Sequence, residues 1–178
     1  MISDYTLREE IDEKGRFHTA YQYTGKPYRF GVGQSAALAE GRKLLVLMVS
    51  AWAAYVLAML LPSEAMHNLY VALPFVFTAV PLFLLTETLL QLRKLKEPLE
   101  KRHADRMNHR YPPQALMAAV FPCFALLGEL IVMIMGNIRL PGDVVFVICA
   151  LWLCFAGVRC FRSRKTMEIV FFAENGVK

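Results

Sequence analysis

The chain has 178 residues, 56% of them hydrophobic and only 20% charged, with a net charge of +5. A soluble domain of this length does not need so apolar a composition, and a disordered chain could not carry it. The basic excess does not argue for nucleic acid either, because Lys and Arg avoid the apolar stretches and collect between them.

Residues 1–33 do not read as a helix. Tyr5, Leu7 and Ile11 alternate with polar neighbours, Asp12-Glu13-Lys14-Gly15 supplies a turn, and Phe17, Thr19, Tyr21 and Tyr23 alternate again. A second turn at Thr24-Gly25-Lys26-Pro27 leads into Tyr28-Arg29-Phe30. The pattern predicts a short antiparallel meander. The tail is expected to join it, since Met167, Ile169 and Phe171 share one face of a strand-like run from Thr166 to Asn175-Gly176. Gly25-Lys26 is no phosphate loop, because the upstream Gly and the following Ser or Thr are missing. From Gln34 to Gly41, Ser35 can cap a run of good helix formers, which predicts a short interfacial helix ahead of the membrane.

Four apolar segments follow. Leu44 to Leu61 is 18 residues without a charge, Ala65 to Leu92 holds only Glu87, and Tyr111 to Ile138 holds only Glu129. The fourth runs from Leu140 to Val158 with Asp143 near its start, expected there as a helix cap. A spanning helix needs about 20 mostly apolar residues. The spans are therefore predicted near 44–61, 69–92, 114–136 and 141–159, with a cytoplasmic connection over 93–113 that reads as a solvated helical hairpin of mixed charge, basic on balance and facing anionic lipid heads. Its start is expected near Pro98 and its stop at Tyr111-Pro112-Pro113.

The distribution of Lys and Arg orients these spans. Seven precede the first span, none lies between the first two, seven lie between the second and third, one (Arg139) between the third and fourth, and five in the tail. Four spans put nineteen of the twenty on one side, which the positive-inside rule makes the cytoplasm. The expected localisation is a plasma (inner) membrane with both termini cytoplasmic. Because the first apolar run begins at residue 44 behind mixed charge, it is expected to insert as an anchor rather than as a cleaved signal.

Charged residues inside spans are functional candidates because burying them in hydrocarbon is costly. Glu87 lies six residues before Arg93, about 9 Å below the cytoplasmic end of span two, and Glu129 lies about 12 Å from Asn137 towards the outer side. At such different depths they are not expected to share one proton or ion. Glu87 is expected to pair with Arg159 if spans two and four are neighbours. Glu129 has no partner in the sequence and is expected to be either neutral and hydrogen-bonded to a neighbouring helix or buried against a protein partner, burial favouring the neutral form. Pro74, Pro81 and Pro122 permit kinks. Ser50, Ala54 and Ala58, at four-residue spacing, form a stripe that lets another helix approach closely.

Several chemistries lack their residues. His67 lies at the outer edge, and His18, His103 and His109 lie in cytoplasmic segments, so a haem held by two histidines inside the bundle is not expected. Cys123, Cys149, Cys154 and Cys160 match neither a disulfide framework nor a zinc site and read as packing residues. No Gly-x-Ser-x-Gly elbow and no pair of acids at one depth is present, and Glu64 with His67 is too small a set for a metal.

The sequence therefore predicts an all-α polytopic membrane protein with four transmembrane helices and a small cytoplasmic β meander built from its termini. Residues 1–42 form the N-terminal region, 43–162 the transmembrane region and 163–178 the tail. The leading functional expectation is a non-enzymatic accessory or scaffold subunit of a membrane assembly, with no catalytic residue, metal or cofactor assigned. The alternative is a small oligomeric transporter or channel component using Glu87 and Glu129, and an enzyme acting on lipid ranks third. Expected partners are membrane lipid and either further copies of the chain or another membrane subunit, but not nucleic acid.

Overall fold

The fold is described from a computed structural model covering residues 5–11, 17–23, 25, 28–95, 97, 99–136 and 138–171, with the side chains of 5–11, 17–23 and 65 set aside. The predicted turn at Asp12-Glu13-Lys14-Gly15, most of the turn at Thr24-Gly25-Lys26-Pro27 and the close of the tail at Asn175-Gly176 lie outside these residues. Four helical runs, Gln34–Leu60, Leu69–Leu92, Lys101–Ile134 and Gly142–Lys165, are long and apolar enough to cross a membrane. Their outward side chains are large and apolar on every run, among them Val46, Phe83, Phe124 and Ile148. Such a surface suits hydrocarbon and would be a liability in water.

Strands β1 (Tyr5–Ile11) and β2 (Phe17–Tyr23) pair antiparallel, with Tyr5 opposite Tyr23 and Ile11 opposite Phe17. The third strand, β3 (Tyr28–Phe30), pairs with the tail strand β4 (Ile169–Phe171) and not with β2. Two separate two-stranded pairs thus replace the single meander expected from the alternation. The other edge of β3 explains the difference. Tyr28 exchanges both backbone hydrogen bonds with Leu99, at 3.1 and 2.9 Å, so the loop after the second span occupies the position a neighbouring strand would need. Asn108 holds β4 in the manner of a strand, its amide donating to the Ile169 carbonyl at 2.7 Å and its carbonyl accepting from the Ile169 N–H at 3.0 Å.

Helix α1 (Gln34–Leu60) is continuous over 27 residues, so the predicted interfacial helix is the first two turns of span one rather than a separate element. Nothing between them ends a helix, and Ser35 lies inside it rather than capping it. Gly33 is the cap, with φ of +88°, a conformation few side chains tolerate. Gly41 stays helical because it is a contact surface: a Cβ there would lie 2.7 Å from the Leu92 side chain.

The second span breaks into α2 (Leu69–Phe77) and α3 (Ala79–Leu92) at Thr78. Pro81 has no N–H to offer the Phe77 carbonyl four residues earlier, and its ring crowds that carbonyl. The buried Thr78 keeps the junction satisfied. Its N–H reaches the carbonyls of Pro74 and Phe75 at 3.2 and 3.1 Å, and its hydroxyl donates to Pro74 at 3.1 Å.

Prolines shape the third run as well. A short α4 (Lys101–Asp105) passes through a π turn at Arg106–Arg110 into α5 (Tyr111–Ile134), without the predicted stop at Tyr111-Pro112-Pro113. Pro112 and Pro113 cannot donate to the carbonyls four residues back. The chain widens instead, and the Tyr111 N–H bonds the Arg106 carbonyl five residues earlier. Helix α6 (Gly142–Arg162) completes the bundle.

In the bundle α1 packs on α3 and α6, while α5 packs on α2, α3 and α6. The spans therefore follow one another round a ring, and the second and fourth stand on a diagonal. In the half nearest the short hairpins that diagonal is filled by rings: Tyr55 stacks on Phe75 at 5.0 Å, and Phe75 meets Phe146 at 4.8 Å. The contact between α5 and α6 is closer. A Cβ on Gly157 would lie 2.5 Å from the Ala119 backbone nitrogen, so α6 rests directly on the α5 backbone beside Ala118. Without a hydrophobic driving force between helices in lipid, such close approach is what holds them together. Gly157→Ala is expected to cost about 1–3 kcal/mol through overpacking, and Gly157→Leu to abolish the folded bundle. Thermal unfolding of the detergent-solubilised protein checks both.

Candidate functional site

The predicted intramembrane acids lie towards opposite ends of the bundle. Glu129 is on α5, five residues before its end, and is fully buried. The preceding Gly128 packs under Val71 and Tyr70 of α2. Neither carboxyl oxygen of Glu129 has a hydrogen-bond partner among the described residues, and the group lies within electrostatic reach of Asp143 and Glu64. Asp143 is not the cap of α6. It lies in the first turn, fully buried, and its carboxylate accepts the backbone N–H of Glu64 at 2.8 Å and that of Arg139. Arg139 also pairs with the Glu64 side chain at 3.1 Å. One carboxylate thus ties the two hairpins together, and Gly142 beside it leaves room for the Pro62 carbonyl, which any Cβ would strike.

Glu87 lies at the basic end, on α3. Gln91 donates to it at 2.7 Å, and Arg106 of the π turn lies 3.6 Å away. The structure does not bring Glu87 to Arg159. The guanidinium of Arg159 instead donates to Glu40 on α1, the side chain of which is 14% exposed. The ring order gives the reason: span four neighbours span one, whereas span two lies across the diagonal. Glu40 escaped sequence reasoning because it was read as belonging to a separate interfacial helix. In a continuous α1 it lies one turn below Leu44, facing α6. Beneath this pair, the buried Tyr111 hydroxyl donates to the Cys160 carbonyl at 2.9 Å and lies 2.8 Å from the Ser163 hydroxyl, closing the end of α6.

The stripe of Ser50, Ala54 and Ala58 is divided. Ala58 is in the core, on the same face as Ala51 and Tyr55, whereas Ser50 and Ala54 are half-buried on the outward side. There they line, with Ala53 and Leu57, a groove of about 500 Å³ against Ile148, Trp152 and Phe155 of α6. The Trp152 indole N–H donates to Ser50 Oγ at 3.1 Å, fixing one wall.

Two polar recesses open at the basic end. One, of about 470 Å³, is lined by Gln91, Arg102, His103, Asp105, Arg106 and Arg110, and the other, of about 630 Å³, by Met107, Asn108, His109, Pro112, Arg164, Lys165 and Glu168. Residues 101–110 precede the apolar part of their helical run, which begins at Tyr111. Burial pushes the His103 imidazole below its usual range, and the neighbouring Arg102 adds to the effect. The charge of the first recess at neutral pH therefore comes from its arginines and Asp105. The basic balance of this stretch points it towards anionic lipid heads, but only the four-residue spacing of Arg102, Arg106 and Arg110 singles out these three. Among the described residues no group of three metal-ligating side chains converges.

A double-mutant cycle on Glu40→Gln and Arg159→Gln, read by thermal unfolding, is expected to give a coupling of about 1 kcal/mol. The same cycle on Glu87→Gln and Arg159→Gln should give none. No described protein family matches the sequence, and no curated protein or solved structure is detectably similar to it.

Proposed function

We propose that the chain is a non-enzymatic accessory or scaffold subunit of an inner-membrane assembly, with both termini cytoplasmic and the outward groove between α1 and α6 taking a transmembrane helix of another subunit. The groove carries this reading. It has a floor of small side chains, Ser50, Ala53 and Ala54, between taller walls of Leu57, Trp152 and Phe155. Helices in lipid associate where small residues let backbones approach, since burying apolar surface gains little against acyl chains. The charge asymmetry supports cytoplasmic termini, and on that reading most of the extramembrane chain faces the cytoplasm, where an assembly would be organised.

A second reading, a small oligomeric transporter or channel component, draws support from Glu129. A fully buried carboxyl with neither oxygen hydrogen-bonded is costly to keep, and a proton or cation pathway is one reason to keep it. Glu87 gives that reading less, because Gln91 and Arg106 already attend it.

A photo-crosslinking residue at Ala53, activated in native membranes, separates the two readings. The accessory reading expects one adduct with a different protein at fixed stoichiometry, lost in Ala54→Leu while the unfolding temperature stays within a few degrees of wild type. Adducts with lipid alone would overturn it. Adducts with a second copy of the chain, together with ion flux in vesicles that Glu129→Gln abolishes, would replace it with the transport reading.

A further inference from the structure

The polar recess of Arg102, Arg106 and Arg110 does not end at the basic rim. A second recess of about 430 Å³ runs between α3 and α5, lined by apolar side chains including Val80, Leu84, Met117 and Phe121, and Arg110 lines both. Arg110 is common to both linings, so a ligand seated on it meets a charged recess on one side and an apolar trough on the other. Phe77 and Phe121, with centroids 6.3 Å apart, close its far end. Arg110 and Phe121 are eleven residues apart, about 16 Å along the helix, enough to hold a long stretch of an acyl chain.

The arginines are not equally free. Arg102 pairs with Glu100 at 2.7 Å, and Arg106 shares Glu87 at 3.6 Å while Gln91 holds that carboxylate. Arg110 has no ion pair among the described residues, although it stands at the junction of the two recesses. The π turn imposed by Pro112 and Pro113 keeps Arg106 and Arg110 on the same recess. An unpaired guanidinium where headgroups lie, with an apolar groove leading from it into the bilayer, matches the two parts of a phospholipid.

We propose that the two recesses together bind one monoanionic glycerophospholipid of the phosphatidylglycerol type, its phosphodiester on Arg110 and Arg106 and one acyl chain between α3 and α5. The carboxylates of Asp105 and Glu87 beside the arginines favour a singly charged diester over a doubly charged phosphomonoester. Asp105 also supplies an acceptor for a headgroup hydroxyl.

The test is lipid retention by the delipidated protein in mild detergent, challenged with equal amounts of dioleoyl phosphatidylglycerol, phosphatidylethanolamine and phosphatidylcholine and read by native mass spectrometry. One phosphatidylglycerol is expected to be retained about fivefold over either of the others, the factor that one well-placed arginine confers. Arg110→Gln should remove that preference, and Leu84→Trp, which fills the apolar groove, should reduce retention of all three lipids. Arg164→Gln with Lys165→Gln, in the other polar recess, should leave the preference unchanged. Phosphatidylglycerol should raise the unfolding temperature of wild type but not of Arg110→Gln. Equal retention of the three lipids, a preference that survives Arg110→Gln, or equal stabilisation by soluble glycerol 3-phosphate would overturn the proposal. Should Arg110→Gln fail to fold, Met117→Trp tests the groove in its place, and unchanged retention by that variant would equally overturn it.

Discussion

Apolar side chains inside a bilayer gain almost nothing by leaving lipid for protein, so this bundle is held by how closely its backbones approach. Four glycines make such close approaches. Gly157 rests on the α5 backbone, Gly142 on the Pro62 carbonyl, Gly128 under Val71 and Gly41 under Leu92. These four contacts join α6 to α5, α6 to the first hairpin, α5 to α2, and α1 to α3. They fix three of the four neighbouring pairs of spans, and the fourth, α1 on α6, is the one that brings Glu40 to Arg159.

The second demand of the membrane is that each peptide group find a partner without water. Prolines make this hardest, and the chain answers them in two ways. At Thr78 the helix divides, and a threonine hydroxyl and backbone N–H both turn back to Pro74. Before Pro112 and Pro113 the helix widens by one residue into a π turn, which keeps it continuous. Arg106 and Arg110, which begin and end this turn, both line the recess beside Gln91 of α3. A backbone accommodation thus lies beside a basic recess.

Charge is handled differently at the two ends. At the hairpin end a buried carboxylate, Asp143, is satisfied by backbone N–H groups from both hairpins, while Glu129 nearby has no hydrogen-bond partner among the described residues. At the basic end the acids answer arginines on neighbouring helices, Glu40 to Arg159 and Glu87 to Arg106. The first arrangement fixes short loops that have few residues to fix themselves. The second leaves both guanidiniums partly exposed, where an ion pair adds little to stability.

Four apolar runs, their lengths and the one-sided excess of Lys and Arg were legible in the sequence, because hydropathy and charge are summed over many residues and need no tertiary knowledge. The candidate acids were legible for the same reason, since a lone carboxylate in an apolar run stands out wherever it folds. Their partners were not. Glu87 and Arg159 share a depth along the membrane normal, which can be counted from sequence, but whether they meet depends on the order of spans around the ring, which cannot. The stripe of Ser50, Ala54 and Ala58 was read at the correct spacing but divided between core and groove, because four-residue steps drift around a helix of 3.6 residues per turn and only the neighbours decide where the interface lies. Depth and polarity are one-dimensional properties that the chain carries by itself. Adjacency is decided by packing, and with it the pairs between spans and the recesses and groove that more than one span lines.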